Sequence, residues 1–138
     1  MNDDLNSRLA RNRYIAILRG VAPDEVDGIA TALLDEGIDI IEVPLNSPQP
    51  LESIRRLAKH CPTATWIGAG TVLDSASVRA VALAGARFVV APNADSGVVS
   101  AAKRNGLVAI PGVFTPSEAL RMLAAGADAL KLFPAEAA

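Results

Sequence analysis

Four glycines constrain the architecture of this chain more than any other residues. Gly37, Gly85, Gly106 and Gly126 each end a helix-compatible stretch and lead into a short apolar run. That is where a helix calls for a left-handed C-terminal residue. The unit so defined, a strand, a loop, a helix and a glycine, repeats along the sequence. Strands are expected at 15–19, 38–43, 65–69, 87–91, 107–110 and 127–132, with helices at 23–36, 48–60, 74–84, 95–104 and 116–125. Asp24, Asp74, Asp95 and the segment Thr115-Pro116-Ser117-Glu118 supply capping chemistry at the opposite helix ends. Strict β-α alternation implies a parallel sheet with helices outside it. A closed eight-stranded (β/α) TIM barrel and an open doubly wound sheet both satisfy that pattern. Arg19, Glu42, Thr71, Asn93, Thr115 and Lys131 stand at or just beyond the ends of six different strands. In a barrel those ends converge on one mouth, whereas an open sheet would scatter them. The expectation is an α/β chain forming one partial (β/α) barrel domain over residues 1–138, with about six of the eight β/α units.

With 138 residues, 51% of them hydrophobic, a single substantial core can be buried. A net charge of −2 offers no general attraction for nucleic acid or anionic membrane, so neither is an expected partner. Cys61 is the only cysteine, which rules out an intrachain disulfide and a thiol metal cluster. Met1-Asn2-Asp3-Asp4 has neither the basic start nor the apolar stretch of a signal peptide, and no apolar run reaches bilayer-spanning length. A cytoplasmic location follows as an expectation.

The run Ala129-Leu130-Lys131-Leu132-Phe133-Pro134 places one cation in an apolar strand. Lys131 has the opposite parity to Leu130 and Leu132, so it faces the other side of the sheet. An ammonium in a buried parallel sheet is costly unless something uses it. Glu42 shares parity with Ile38 and Ile40, and Arg19 shares it with Ile15 and Ile17. If those faces line a barrel, an amine, a carboxylate and a guanidinium meet at its mouth. Such a set suits a carbonyl substrate that bears a carboxylate. Arg19 would hold the carboxylate, Lys131 would attack the carbonyl and Glu42 would move protons. At a reference pKa near 10.4, only about one lysine in 2,500 is neutral at pH 7, so the nucleophile needs help from its surroundings. A structural Lys131–Glu42 ion pair is the alternative reading of the same residues.

Gly68-Ala69-Gly70-Thr71-Val72 ends the third strand. Its glycines suit either close approach of a ligand to the backbone or a tight β-α turn, and Thr71 offers a hydroxyl. Pro92-Asn93 and Pro111-Gly112 read as rigid loop turns. His60 and Cys61 lack further ligands for a metal site and read as surface or packing residues. Trp66 and Phe88 read as core, and Arg55 and Arg56 as a solvated helix face.

Three stretches combine specifically: Ile17-Leu18-Arg19-Gly20, Ile41-Glu42-Val43-Pro44-Leu45-Asn46-Ser47 and Leu130-Lys131-Leu132-Phe133-Pro134-Ala135. With Gly68-Ala69-Gly70-Thr71-Val72 and Pro111-Gly112-Val113-Phe114-Thr115-Pro116, the chain resembles the 2-keto-3-deoxy-6-phosphogluconate/phosphogalactonate aldolase family over essentially its whole length. The resemblance implies a class I aldolase on a barrel, needing no cofactor and no metal, and a homotrimer. It implies that Lys131 is the Schiff-base lysine and that Glu42 is the acid/base acting through a water. It places Arg19 and Thr71 near the pyruvoyl carboxylate, and Pro92 and Phe133 in the pocket wall. The implied small-molecule partners are a phosphorylated 2-keto-3-deoxy sugar acid and its product pyruvate.

Members acting on the gluconate epimer resemble Glu-Val-Thr-Leu-Arg-Thr after the second strand, whereas this chain has Pro44 and Asn46 there and carries Arg19 on the first strand. That pattern looks like the phosphogalactonate branch, with Arg19 and Asn46 carrying the distinction. The family pattern continues beyond the equivalent of Ala135 into two more β-α units whose glycine-rich turns hold the substrate phosphate. The chain is therefore expected to be a C-terminally truncated form with open sheet edges, keeping the Schiff-base half of the site.

Overall fold

Three of the expected helix caps close in the computed structural model, which describes residues 4–138. Asp74 accepts from the Ser77 amide and Asp95 from Gly97 and Val98, while Thr115 and Glu118 form a reciprocal capping box. Asp24 does not cap. Its helix instead begins after Glu25, which makes no side-chain cap bond, and the Glu25 carboxylate turns back to the Ala22 amide. All four helix-terminal glycines adopt positive φ, from 71° to 104°.

The chain runs α1 (Leu5–Arg11), β1 (Ala16–Ile17), α2 (Val26–Asp35), β2 (Ile40–Pro44), α3 (Pro50–His60), β3 (Trp66–Gly70), α4 (Ser75–Ala84), β4 (Phe88–Val90), α5 (Ser96–Arg104), β5 (Val108–Ile110), β6 (Gly112–Val113), α6 (Pro116–Ala124) and β7 (Lys131–Leu132). Strands β1 to β5 form one parallel sheet in sequence order, and β6 pairs in parallel with β7. The segment 108–113 joins the two, because β5 lies against β4 and β6 against β7.

The sequential order carries no reversal of the kind that marks a doubly wound sheet. Packing agrees. Outward residues Ile41, Val43, Ile67, Ala69, Val89 and Ala109 share one cluster with Val26, Ile54, Val81, Val98 and Met122, one residue from each of α2 to α6. All five helices thus cover the same face. Inward residues Ile40, Trp66, Phe88, Val90 and Ile110 form a separate smaller cluster with Leu5. Helices on one side and a small interior cluster on the other define part of a (β/α) barrel.

The first and last strands are much shorter than the sequence suggests, two residues each. After the Leu18 amide donates to Glu42 O (2.9 Å), the parallel ladder calls for a donor at position 44. Pro44 has none, so β1 stops short of Arg19. In the last strand, the Asp128 carboxylate takes the Ala109 amide (2.8 Å) and the Lys103 ammonium (2.7 Å). Regular pairing begins only at Lys131.

Helix α1 was not anticipated. Asp4 caps it, Leu5 and Leu9 join the interior cluster, and Arg8 is 1% exposed with Nη1 3.0 Å from Asp39 Oδ2 and its guanidinium over the Trp66 ring. This helix closes the N-terminal end of the barrel. Trp66 and Phe88 are core residues as expected, with stacked rings 6.4 Å apart. Arg55 and Arg56 keep solvated side chains, 50% and 39% exposed, as expected, while Arg56 Nη2 also reaches Asp27 Oδ2 at 2.6 Å and ties α3 to α2. His60 bonds Thr31 (3.0 Å) and Cys61 packs into the outer core. Met1, Asn2 and Asp3, read above for a signal peptide, lie outside the described residues. No helix among the described residues is long and apolar enough to cross a membrane.

Candidate active site

Glu42 and Lys131 reach the barrel interior by the parity their sequences imply. Glu42 alternates with Ile41 and Val43, which pack outward, and is itself 3% exposed. Lys131 alternates with Leu130, which packs on the outer core, and shares parity with Ala129, which packs on the inner one. Both line a cavity of about 260 Å³ whose walls include Ile15, Ile17, Val90 and Ile110. The two charged groups share it without a direct salt bridge among the described residues.

The electrostatics of that cavity are asymmetric. Burial pushes the Glu42 carboxyl above its ordinary value, while the Lys131 and Arg19 cations pull it the other way. Desolvation wins. The Lys131 ammonium stands 4.6 Å from the centroid of the Phe133 ring, a cation–π distance. Phe133 in turn lines a second cavity of about 150 Å³ with Pro92, Asn93 and Gly112. Lys131 thus lines the hollow that holds Glu42, and the ring it stands over, Phe133, walls the other with Pro92.

The remaining sequence candidates spread around this centre. Arg19 is exposed, beyond the end of β1, and reaches Glu42 through its field rather than by contact. Thr71 is half-buried immediately after β3 with φ 56°, a left-handed conformation that a β-branched residue rarely adopts. Asn46 is exposed in the turn after β2 and lines neither hollow. Asn93, taken from sequence as loop geometry, faces the hollow of Pro92 and Phe133.

The glycines of β3 do something the sequence reading did not assign. A Cβ on Gly70 would run into the Glu42 carboxylate, and one on Gly68 would run into the Phe88 ring. The inward positions of β3 are empty so that neighbouring strands can fill them. Alternation supplied the missing signal, because Trp66, Gly68 and Gly70 share the parity of an inward face.

The family profile for KDPG and KHG aldolase matches residues 5–138. Over 121 residues the chain is 50% identical to a probable 2-dehydro-3-deoxy-6-phosphogalactonate aldolase of Rhizobium meliloti (strain 1021), covering 88% of this chain and 57% of that protein. It is 45% identical over 123 residues to the 2-dehydro-3-deoxy-6-phosphogalactonate aldolase of Escherichia coli (strain K12), covering 89% of this chain and 60% of the relative. A solved structure described as native KDPGal superposes with a TM-score of 0.86 at 45% identity, over 89% of this chain and 60% of the other. The chain thus spans a little under two thirds of the length of these relatives. An interior lysine and a buried glutamate on a one-sided, sequentially ordered parallel sheet agree with a match that runs from α1 to the last residue. The chain belongs to the KDPG and KHG aldolase family.

Proposed function

We propose that this chain carries the Schiff-base centre of a class I aldolase. The observation that carries the reading is that Lys131 and Glu42, on strands distant in sequence, share one interior cavity without neutralising each other in a direct salt bridge. The Lys131 amine attacks the C2 ketone of a 2-keto-3-deoxy sugar acid. The resulting carbinolamine loses water to give an iminium. The C4 hydroxyl then gives up its proton, the C3–C4 bond breaks, and its electron pair moves into the iminium to form an enamine as the aldehyde leaves. Protonation at C3 and hydrolysis release pyruvate and return the free amine. Glu42, whose carboxyl is raised by burial, is the proton carrier, acting through a water. Arg19 and Thr71 hold the substrate carboxylate, and Pro92 and Phe133 wall the pocket.

The substrate proposed first is 2-dehydro-3-deoxy-6-phosphogalactonate, cleaved to pyruvate and D-glyceraldehyde 3-phosphate in galactonate degradation. The support is Pro44 and Asn46 after β2 together with Arg19 after β1, and identities of 45% and 50% to relatives named for that substrate. The gluconate epimer, or 4-hydroxy-2-oxoglutarate, is the alternative substrate. A cytoplasmic homotrimer is the proposed setting. Half-exposed Ile17 and Leu132 on the first and last strands favour a second reading, a non-catalytic partial-barrel assembly module.

Borohydride reduction in the presence of pyruvate, followed by peptide mass spectrometry, decides between the two. The expected result is a reduced pyruvoyl adduct at Lys131, abolished in Lys131→Met. A folded chain that forms no adduct leaves the assembly reading.

A further inference from the structure

Pro44 removes a backbone donor from the β1–β2 ladder at the point where Arg19 leaves the sheet. In the parallel register that pairs Ile17 with Glu42, the Leu18 carbonyl faces the amide position of residue 44. Proline has no amide hydrogen, so the ladder cannot satisfy that carbonyl. Ser47, three residues on, stands in. Its hydroxyl lies 3.4 Å from the Leu18 carbonyl oxygen and accepts the Gly20 amide at 3.1 Å. The two bonds fall on the residues immediately before and after Arg19. Ser47 is 7% exposed, although the turn around it is largely exposed. Its own amide bonds the Pro44 carbonyl at 3.0 Å, which fixes the hydroxyl against the end of β2. Gly20, at φ 73°, takes the left-handed conformation that turns the chain immediately after this bonded amide.

From this geometry we infer that Ser47 is a positioning residue for Arg19. A long guanidinium side chain on an exposed loop points reproducibly only if its Cα is held. The serine hydroxyl holds it from both sides. Through that clamp Ser47 aims Arg19 at the mouth of the cavity where its charge is felt by Glu42. The effect on a bound ligand is specific in kind: it concerns the ligand's carboxylate and not its carbonyl. The inference deepens the aldolase reading and rests on it.

The test uses reductive trapping at Lys131 in the full chain with two ketones. Pyruvate carries the carboxylate, while hydroxyacetone has the same carbon skeleton without it. Arg19→Ala should raise the pyruvate concentration for half-maximal trapping by about 10-fold or more, the worth of a charge-assisted hydrogen bond. Ser47→Ala should raise it by about 3- to 10-fold, within the range for losing ordinary hydrogen bonds. It should leave hydroxyacetone trapping unchanged and add nothing in the Arg19→Ala background. Adding Pro44→Ala to Ser47→Ala returns a backbone donor opposite Leu18 and should recover part of the loss.

A Ser47→Ala chain with unaltered pyruvate dependence overturns the inference. So does an equal loss with both ketones, a further loss on top of Arg19→Ala, or disappearance of the helical circular dichroism. Any of these would make Ser47 a structural residue or a bystander while the aldolase reading stood. Absence of a pyruvate adduct on the unaltered chain would remove the aldolase reading itself, and the inference with it.

Discussion

The space that a side chain at Gly70 would need is held by the carboxylate of Glu42. The two residues sit on adjacent strands, with Glu42 paired to Gly68 and Pro44 to Gly70, so the glutamate leans one pleat along β3 toward the mouth of the barrel. The missing side chain at Gly70 is what leaves that direction open to the acid. In that place the carboxylate is buried, which raises its proton affinity.

Gly70→Ala should destabilise the chain by about 1–3 kcal/mol, the usual cost of overpacking, and should lower trapping at Lys131. In a Glu42→Ala background the added methyl has room, so its cost should fall. Urea denaturation of the four chains of this cycle gives the coupling directly. Equal costs in both backgrounds would show that the methyl meets something other than Glu42.

Glu42→Gln should stabilise the chain at neutral pH. The folded-state pKa of Glu42 is raised, so the folded chain binds its proton more readily than the unfolded chain does. Ionised Glu42 opposes folding above that raised value. As pH falls through it toward the ordinary 4.5, the unaltered chain gains stability relative to the glutamine variant, and the difference then levels off. Melting curves of both proteins from neutral pH down past 4.5 should show the gap narrowing and then staying constant, and a gap independent of pH would sink the prediction.

Glu118 should behave in the opposite sense. Its carboxylate accepts the amides of Phe114 (2.8 Å) and Thr115 (3.0 Å), which hold its pKa below the ordinary 4.5. The stability it contributes is present above 4.5 and is lost as pH falls through the depressed value. Glu118→Gln should therefore weaken the chain at neutral pH and converge with it in acid. Thr115→Ala, which removes the other half of the capping box, should cost about 1 kcal/mol and show a weaker form of the same pH dependence, because the Thr115 side chain contributes less to the Glu118 shift than the two amides do.

Arg8→Ala should be among the more damaging substitutions away from the cavity. The side chain is 1% exposed, pairs with Asp39 and packs over Trp66. Asp39 keeps access to water at 33% exposure, so the loss should be about 1–3 kcal/mol rather than the larger cost of stranding a buried charge. Arg8→Met, which restores the apolar stem, should recover part of it in the same denaturation assay.

The periodic features of this fold were legible in the sequence because they are local. A glycine after a helix, an aspartate before one and a two-residue alternation along a strand each act through neighbours a few positions away. Gly85, Asp74 and the parity of Glu42 and Lys131 followed from such rules. Helix α1 did not, because its seven residues are too few to announce themselves by pattern and are held by Asp39 and Trp66 from elsewhere in the chain. Asp24 offered the right chemistry at the wrong residue, since the helix began after Glu25. Arg56 was legible as a solvated residue but its partner was not, since α2 alone brings Asp27 within 2.6 Å.

By itself, the sequence determined the β-α repeat, the parallel sheet and the inward face on which a glutamate and a lysine had to lie. Backbone stereochemistry dictates those features wherever the chain goes. Only the tertiary structure decided that the two charged groups would share a cavity, that Gly70 would leave room for one of them, and that Ser47 would replace the donor Pro44 lacks. Each of these depends on the register between strands separated by a helix. Which atoms meet across that register is settled by packing of the whole sheet, not by any stretch of residues along it.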